Sequence, residues 1–401
     1  MKKLLCALLA GSMLLSLAAC SNAPSEASSA AAPAQNSSAG APSQEEQKPV
    51  TLNFATGGDT NMSEFFNNEI SPAFHEKYPN ITVKVTATGA GDDGSRNIYT
   101  KWKAQKDAGK SEWDIDAGCV NQSVMKDLID NGLIEKYVPD ISNQKYVTTE
   151  SSKFALGTDV EGYVVPLFTS QIVLGYNSKT VQTPPKSYDE LESWIKANPK
   201  KFGYNGVTGG MSGVGFVAGW LYNKTKNYDT LVKGPYSADK TADWGKILKD
   251  LKSLPVTYTQ GNAGTLDLLN RGEIDIGPVW VDMLLLWKSD GRMSPDVKMI
   301  LPEPGMPGQP MYLVVGSGAQ KDAAEKFCDF LADPAVQAKY VVGKYNWYPG
   351  IDSNAVFQES SQETKDLLFK EVTADELSKK ALALPIDEYS KAMQKIYTET
   401  K

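Results

Sequence analysis

Val50-Thr51-Leu52-Asn53-Phe54-Ala55-Thr56 and Ile81-Thr82-Val83-Lys84-Val85-Thr86-Ala87 decide the fold class of this 401-residue chain. In the first stretch Val50, Leu52 and Phe54 alternate with polar residues. In the second, Ile81, Val83, Val85 and Ala87 alternate with Thr82, Lys84, Thr86 and Thr88. A period of two puts every other side chain on one face of an extended backbone, so both stretches read as strands. Between them, from about Met62, the residues Phe65, Phe66, Ile70 and Phe74 recur at helical spacing, and Pro79 stands beyond the end. The alternation continues with a helix over 97–107, a strand over 112–119 and a helix over 123–134. Strands alternating with helices predict an α/β fold with a largely parallel sheet.

Further along, 163–168 is apolar and broken by Pro166, and 172–177 continues it as a second strand. Ser187 and Glu190 stand at capping-box spacing before a helix that buries Leu191, Trp194 and Ile195, with Pro199 ending it. Trp244, Ile247, Leu248 and Leu251 form another helical stripe. Strands are expected over 274–280, 297–301 and 311–315. A helix follows over 322–331, with more helix after Ser360. Residues 20–49 are Ser, Ala, Pro, Gln and Glu without apolar periodicity, the composition of a disordered tether.

Composition narrows the functions. The length predicts two domains or one bilobed unit. With 41 Lys+Arg against 48 Asp+Glu the net charge is −7, which argues against nucleic acid as a partner. A single histidine, His75, excludes His-rich zinc sites and weakens any His-based triad. It reads as a helix-surface residue; no metal site and no cofactor are expected. The chain opens with Lys2, Lys3 and an apolar run over 4–17, too short to span a bilayer. Leu17-Ala18-Ala19-Cys20 follows and resembles the lipobox of bacterial lipoproteins. That resemblance makes 1–19 a signal peptide and Cys20 the lipidated (palmitate-bearing) first mature residue; the alternative is a plain secretory signal with Cys20 incidental. Losing Lys2 and Lys3 leaves the mature chain more acidic still. Cys6 departs with the signal, leaving Cys119 and Cys328, which make no disulfide framework. Cys328 shares an apolar stripe with Ala324, Phe327 and Leu331 and reads as a buried thiol.

Five features together resemble the extracellular solute-binding proteins of ABC importers, of the type II periplasmic-binding-protein-like, family 1 class. They are the lipobox with its tether, Leu52-Asn53-Phe54-Ala55-Thr56-Gly57-Gly58-Asp59, Phe74-His75-Glu76-Lys77-Tyr78-Pro79-Asn80-Ile81-Thr82-Val83, Val165-Pro166 with Leu174-Gly175-Tyr176-Asn177, and Arg271-Gly272-Glu273-Ile274-Asp275-Ile276-Gly277. The likeness covers nearly all of 50–401. It implies two interleaved α/β lobes joined by crossover strands, a Venus flytrap. Lobe 1 would be 50–165 plus 305–345, and lobe 2 would be 166–304 plus 346–401. It implies a solute held in the cleft between lobes that close by a hinge.

Ligands in open α/β sheets sit beyond the carboxyl ends of strands, so the loops there supply the candidate contacts. Gly57, Gly58 and Asp59 follow the first strand and serve either the cleft or a turn with a helix-start acid. Asp92 and Asp93 read as helix-capping acids. Asn121 is a cleft amide or a helix N-cap. Thr169, Ser170 and Gln171 are three hydrogen-bonding side chains in an apolar run, where the family places polar contacts. Gly210, Met211 and Ser212 belong to a glycine-rich turn before an apolar helix, suited to a ligand oxygen or to tight packing. Trp280, with Asp282 beside it, suits stacking on a sugar or holding a cation, whereas Met283, Leu284, Leu285 and Trp287 read as a buried helix. Tyr312 and Trp347 lie on the returns between lobes and flank the cleft or serve structure.

The resulting expectation is a monomeric, non-enzymatic receptor at the outer face of the cell membrane, lipid-anchored at Cys20. It would deliver a small-molecule solute to ABC permease subunits backed by an ATPase. With 8 Trp and 18 Tyr, aromatic platforms put a sugar or oligosaccharide first. A polyamine, a thiamine-like cation or a phosphonate is the alternative. From another class, a secreted glycoside hydrolase with paired carboxylates is weighed as well.

Overall fold

A computed structural model of the chain describes residues 48–401 apart from Asp59 and Ala90. The expected signal at 1–19, Cys20, and the tether up to residue 47 lie outside the described residues. Nine strands form one mixed sheet: β1 (Val50–Thr56), β2 (Ile81–Ala87), β3 (Ala117–Asn121), β4 (Val165–Asn177), β5 (Ile276–Trp280), β6 (Val297–Ile300), β7 (Met306–Val315), β8 (Tyr348–Pro349) and β9 (Ala381–Leu382). Their main order is β6-β4-β7-β3-β1-β2, with β5 and β8 also paired to β4 and β9 to β7.

β1 runs parallel to β2 and to β3, as the strand–helix alternation predicts. The parallel character stops there. β7 is antiparallel to both β3 and β4, and β4 is antiparallel to β5, β6 and β8. A parallel pair needs a long crossover. Helical segments 60–77 and 91–107 supply those crossovers for the first three strands, while β7 returns to the sheet from the opposite end. The two strands expected over 163–168 and 172–177 are one 13-residue strand, β4. The third strand begins later than expected, at Ala117, just after Asp116. Its carboxylate accepts the amides of Asn53 at 2.8 Å and Gln320 at 2.9 Å.

Strand periodicity sorts the core onto two faces. Leu52, Phe54, Cys119, Leu313 and Val315 join one large cluster. Ala55, Val120, Tyr312 and Val314 point the other way, against Ile98 and Trp102 of helix α1 (Gly91–Asp107). Helix α2 (Met211–Thr225) is buried on nearly every side, as its apolar sequence requires. Ser187 caps the helix Tyr188–Ala197, with Leu191 and Ile195 buried and Trp194 half-buried. Helix α3 (Val281–Ser289) follows β5 directly, and helix α4 (Lys321–Leu331) carries buried Cys328. Both Cys119 and Cys328 are buried free thiols, and burial pushes the Cys328 thiol up to about 12. His75 is exposed on its helix, its Nδ1 2.8 Å from the Ile81 carbonyl.

Tyr137 ties the centre of the sheet together. Its buried hydroxyl donates to the Leu313 carbonyl at 2.9 Å and accepts the Val165 amide at 3.2 Å, linking β7 to β4 where the two strands meet. Tyr137→Phe leaves both backbone groups buried without that partner. Loss of about 1–3 kcal/mol of unfolding free energy in urea is the expected outcome; an unchanged midpoint would show that the hydroxyl carries no weight there.

Candidate functional site

The pocket floor follows from register. On antiparallel β4 and β7, Gln309 stands opposite Ser170 and Met311 opposite Phe168. Met311 also faces Asn121 on β3. Residues two apart on a strand share a face, so Phe168, Ser170, Gln309, Met311 and Asn121 form one continuous patch. Trp280 at the end of β5 and Asp282 in the first turn of α3 rise beside it. Trp347 closes the far side, its ring stacked on Phe168 at 4.0 Å between centroids and 6° between planes. Gly58, Asn61 and Met62 border the pocket from one side, and Met211, Asn262 and Met283 from the other. The cavity holds about 110 Å³.

Asp282 is the one ionisable side chain among the described lining residues, and it is 6 % exposed. Trp347 Nε1 donates to its Oδ2 at 2.9 Å, and the Ser170 hydroxyl donates to its Oδ1. The Tyr348 phenol nearby is pushed up by burial and then by Asp282. Gln309 is 6 % exposed, and its Nε2 has no hydrogen-bond partner.

Seven of the residues singled out from sequence meet here: Gly58, Asn121, Ser170, Met211, Trp280, Asp282 and Trp347. Asp59 lies outside the described residues. Gly57 sits just behind, its amide donating to Cys119; a Cβ there would come within 2.8 Å of Ser95. Gly58's amide donates to Gly89, so neither glycine amide is left for a ligand. Asn121 lines the pocket and also serves as a cap, its Oδ1 accepting the Ser123 amide at 3.0 Å. Thr169 and Gln171 alternate away from Ser170. Thr169 pairs with Pro310 and Tyr348, while buried Gln171 donates to the carbonyls of Ile172 and Met306. Tyr312 is fully buried against α1, on the sheet face opposite Met311.

The glycine-rich turn is closed from within. Asn262 Oδ1 accepts from the Ser212 hydroxyl at 2.8 Å, the Ser212 amide at 3.4 Å and Asn205 Nδ2 at 3.1 Å. It thereby occupies the place a ligand oxygen would take at the start of α2. Gly210 has φ +154°, and a Cβ there would meet Asn205 Nδ2 at 2.6 Å and Asn262 Oδ1 at 2.8 Å. The turn is glycine-rich because two asparagines press on it.

Sequence reasoning missed Asn61, Met62, Phe168, Asn262, Met283, Gln309 and Met311. Phe168 could have been read as the residue two before Ser170 on one strand. Gln309 and Met311 needed the register, and Asn262 reaches Ser212 across 50 residues of chain. Met283, read as core, packs half-buried against the core and also lines the pocket. Among the described residues no group of three or more His, Cys, Asp or Glu could hold a metal ion. Paired-carboxylate hydrolysis needs a second carboxyl within reach, and the described lining offers only Asp282.

Fold and pocket define a ligand-binding α/β protein. Residues 69–369 match the bacterial extracellular solute-binding protein family, and the chain belongs to it; this is a family of binding proteins rather than enzymes. Solved structures of the same fold include the maltose-bound MalE3 of T. maritima, at TM-score 0.67 and 18 % identity over 87 % of this chain and 93 % of that one. The spermidine/putrescine ABC transporter substrate-binding protein PotD of Streptococcus pneumoniae matches at 0.66 and 13 %, over 88 % and 98 %. An ABC transporter from Clostridium perfringens matches at 0.63 and 17 %, over 87 % and 98 %. No curated protein sequence matches. No helix among the described residues is long and apolar enough to cross a membrane.

Asn262→Ala removes the acceptor that holds the turn. The Ser212 amide and hydroxyl lose this acceptor and Asn205 Nδ2 keeps only the Ser212 hydroxyl, so urea unfolding is expected to show a loss of about 1–3 kcal/mol. A midpoint equal to wild type would mean the turn holds itself.

Proposed function

We propose that the chain is the substrate-binding component of an ABC importer, anchored by a lipid on Cys20 at the outer face of the cell membrane. It acts as a monomer, captures a small polar organic solute in the pocket and delivers it to permease subunits backed by an ATPase. The supporting observation is the composition of the lining. It draws on β3, β4, β5 and β7, on the starts of α2 and α3, and on the segment before β8, so one small molecule touches parts far apart in sequence.

The lobes are those the family resemblance implies: 50–165 plus 305–345, and 166–304 plus 346–401. β4 and β7 support this division, since each is long enough to serve both strand groups. β4 pairs with β7 and β8 through its first half and with β5 and β6 through its second. Closure of one lobe on the other would expel water from the pocket, and the solute's preference for the closed form would drive that equilibrium. Seven of the fourteen lining residues are Met, Phe or Trp, which suits a solute with an apolar face as well as a polar group.

A melt of the chain, freed of solute by unfolding and refolding, against sugars, polyamines, amino acids, other organic ammonium ions and phosphonates tests this reading. Binding to the folded state alone stabilises by about 2.7 kcal/mol at a hundredfold excess over Kd. A shift of several degrees with one class is expected. A flat response to every class would end the receptor reading.

A further inference from the structure

We propose that Gln309 is a specificity-determining residue of the pocket: its side-chain amide donates a hydrogen bond to an oxygen of the solute, with the amide nitrogens of Asn121 and Asn262 as further donors. This rests on the reading that the pocket is the solute site. It adds the chemical group the solute presents there, an acceptor oxygen of hydroxyl, carbonyl or acid type.

Burial comes first. Gln309 is 6 % exposed, lines the pocket, and its Nε2 has no hydrogen-bond partner among the described residues. A buried N–H without an acceptor has given up water and gained nothing in return, which is why nearly all such groups in folded proteins are paired. An apolar side chain would fill the same place at less cost. Gln309 lies on the pocket face of β7, opposite Ser170, so the partner it lacks inside the chain can reach it from the pocket.

Two more amides have their ends fixed by the chain itself. A side-chain amide has an oxygen that accepts and a nitrogen that donates. Asn121 Oδ1 accepts the Ser123 amide, and Asn262 Oδ1 accepts the Ser212 amide and hydroxyl. Turning either side chain over would set N–H against N–H, so the nitrogen end of each is the one left over. Neither nitrogen bonds another described residue. Asn61, half-buried at the pocket edge, adds a fourth amide. These nitrogens call for oxygen on the solute.

Register places the donors within reach of one molecule. Asn121 stands opposite Met311 on the neighbouring strand, and Gln309 is two residues before Met311. Diagonal neighbours across two strands are about 7–8 Å apart, so a small solute can meet both, with its carbon atoms over Met311. Asn262 lies in the first turn of the helix Gly261–Asn270, on the other side of the pocket. In the lobe division proposed above, Gln309 and Asn121 belong to lobe 1 and Asn262 to lobe 2. A solute held from both sides prefers the closed form, and that preference shifts the equilibrium. A sugar, with hydroxyls around a carbon ring, and an amino acid, with a carboxylate beside an alkyl chain, both present this chemistry.

Isothermal titration on the refolded, solute-free chain tests this with four oxygen-bearing probes, glucose, maltose, L-leucine and methylphosphonate, and one cation without oxygen, 1,4-diaminobutane. At least one oxygen-bearing probe is expected to bind, and which one does so identifies the oxygen as hydroxyl, carboxylate or phosphonate. Gln309→Met, of similar length but unable to donate, is expected to bind that probe roughly tenfold more weakly. Gln309→Glu, which keeps the shape and replaces the N–H by an acceptor, is expected to lose at least as much. The urea midpoint separates recognition from structure. With the unpaired donor gone, solute-free Gln309→Met is expected to unfold at the same or a higher urea concentration than wild type. A lower midpoint, wild-type affinity in either variant, or binding of 1,4-diaminobutane in place of every oxygen-bearing probe overturns the assignment and leaves the receptor reading standing. Silence from every probe overturns both.

Discussion

The antiparallel register of β4 against β7 is the constraint on which the rest of the molecule depends. Because Gln309 lies opposite Ser170 and Met311 opposite Phe168, one face of two long strands becomes a pocket floor and the next residues along each strand turn away. A slip of one residue would exchange the faces. Thr169, Gln171 and Tyr312 would enter the pocket, and Ser170 would lose its reach to Asp282. The Tyr137 hydroxyl, shared between Leu313 and Val165, holds the two strands in this register from the buried side.

Asp282 stands beside that floor. It arrives from α3, accepts from Ser170 on β4 and from Trp347 on the segment before β8, and so joins three separated parts of the chain around one carboxyl group. Trp347 is held in turn by its stack on Phe168 and by Tyr345 at 4.7 Å on its other side.

Much of the architecture was legible in the sequence. β1 and β2 are amphipathic in the simplest sense, alternating residue by residue, and Ser187 with Glu190 marked a helix start that the chain uses. Ser170 stood out as a hydrogen-bonding side chain in an apolar run, and Trp280 with its neighbour Asp282 as an aromatic and a carboxyl group at a strand end. The antiparallel half of the sheet was not legible, since periodicity reports which residues share a face and not which strand lies alongside. That is why Gln309 and Met311 went unnoticed. The glycine-rich turn misled for a related reason: its oxygen partner, Asn262, belongs to a distant segment, so an open anion site and a turn closed by an asparagine look alike along the chain.

The functional reading stands on the pocket between β4, β5, β7 and the start of α3 being the place where solute binds. A crystal structure of the chain with its most stabilising probe bound checks this. Density for the probe against Phe168, Trp280 and Met311 is the expected result; a probe bound outside this pocket would contradict it.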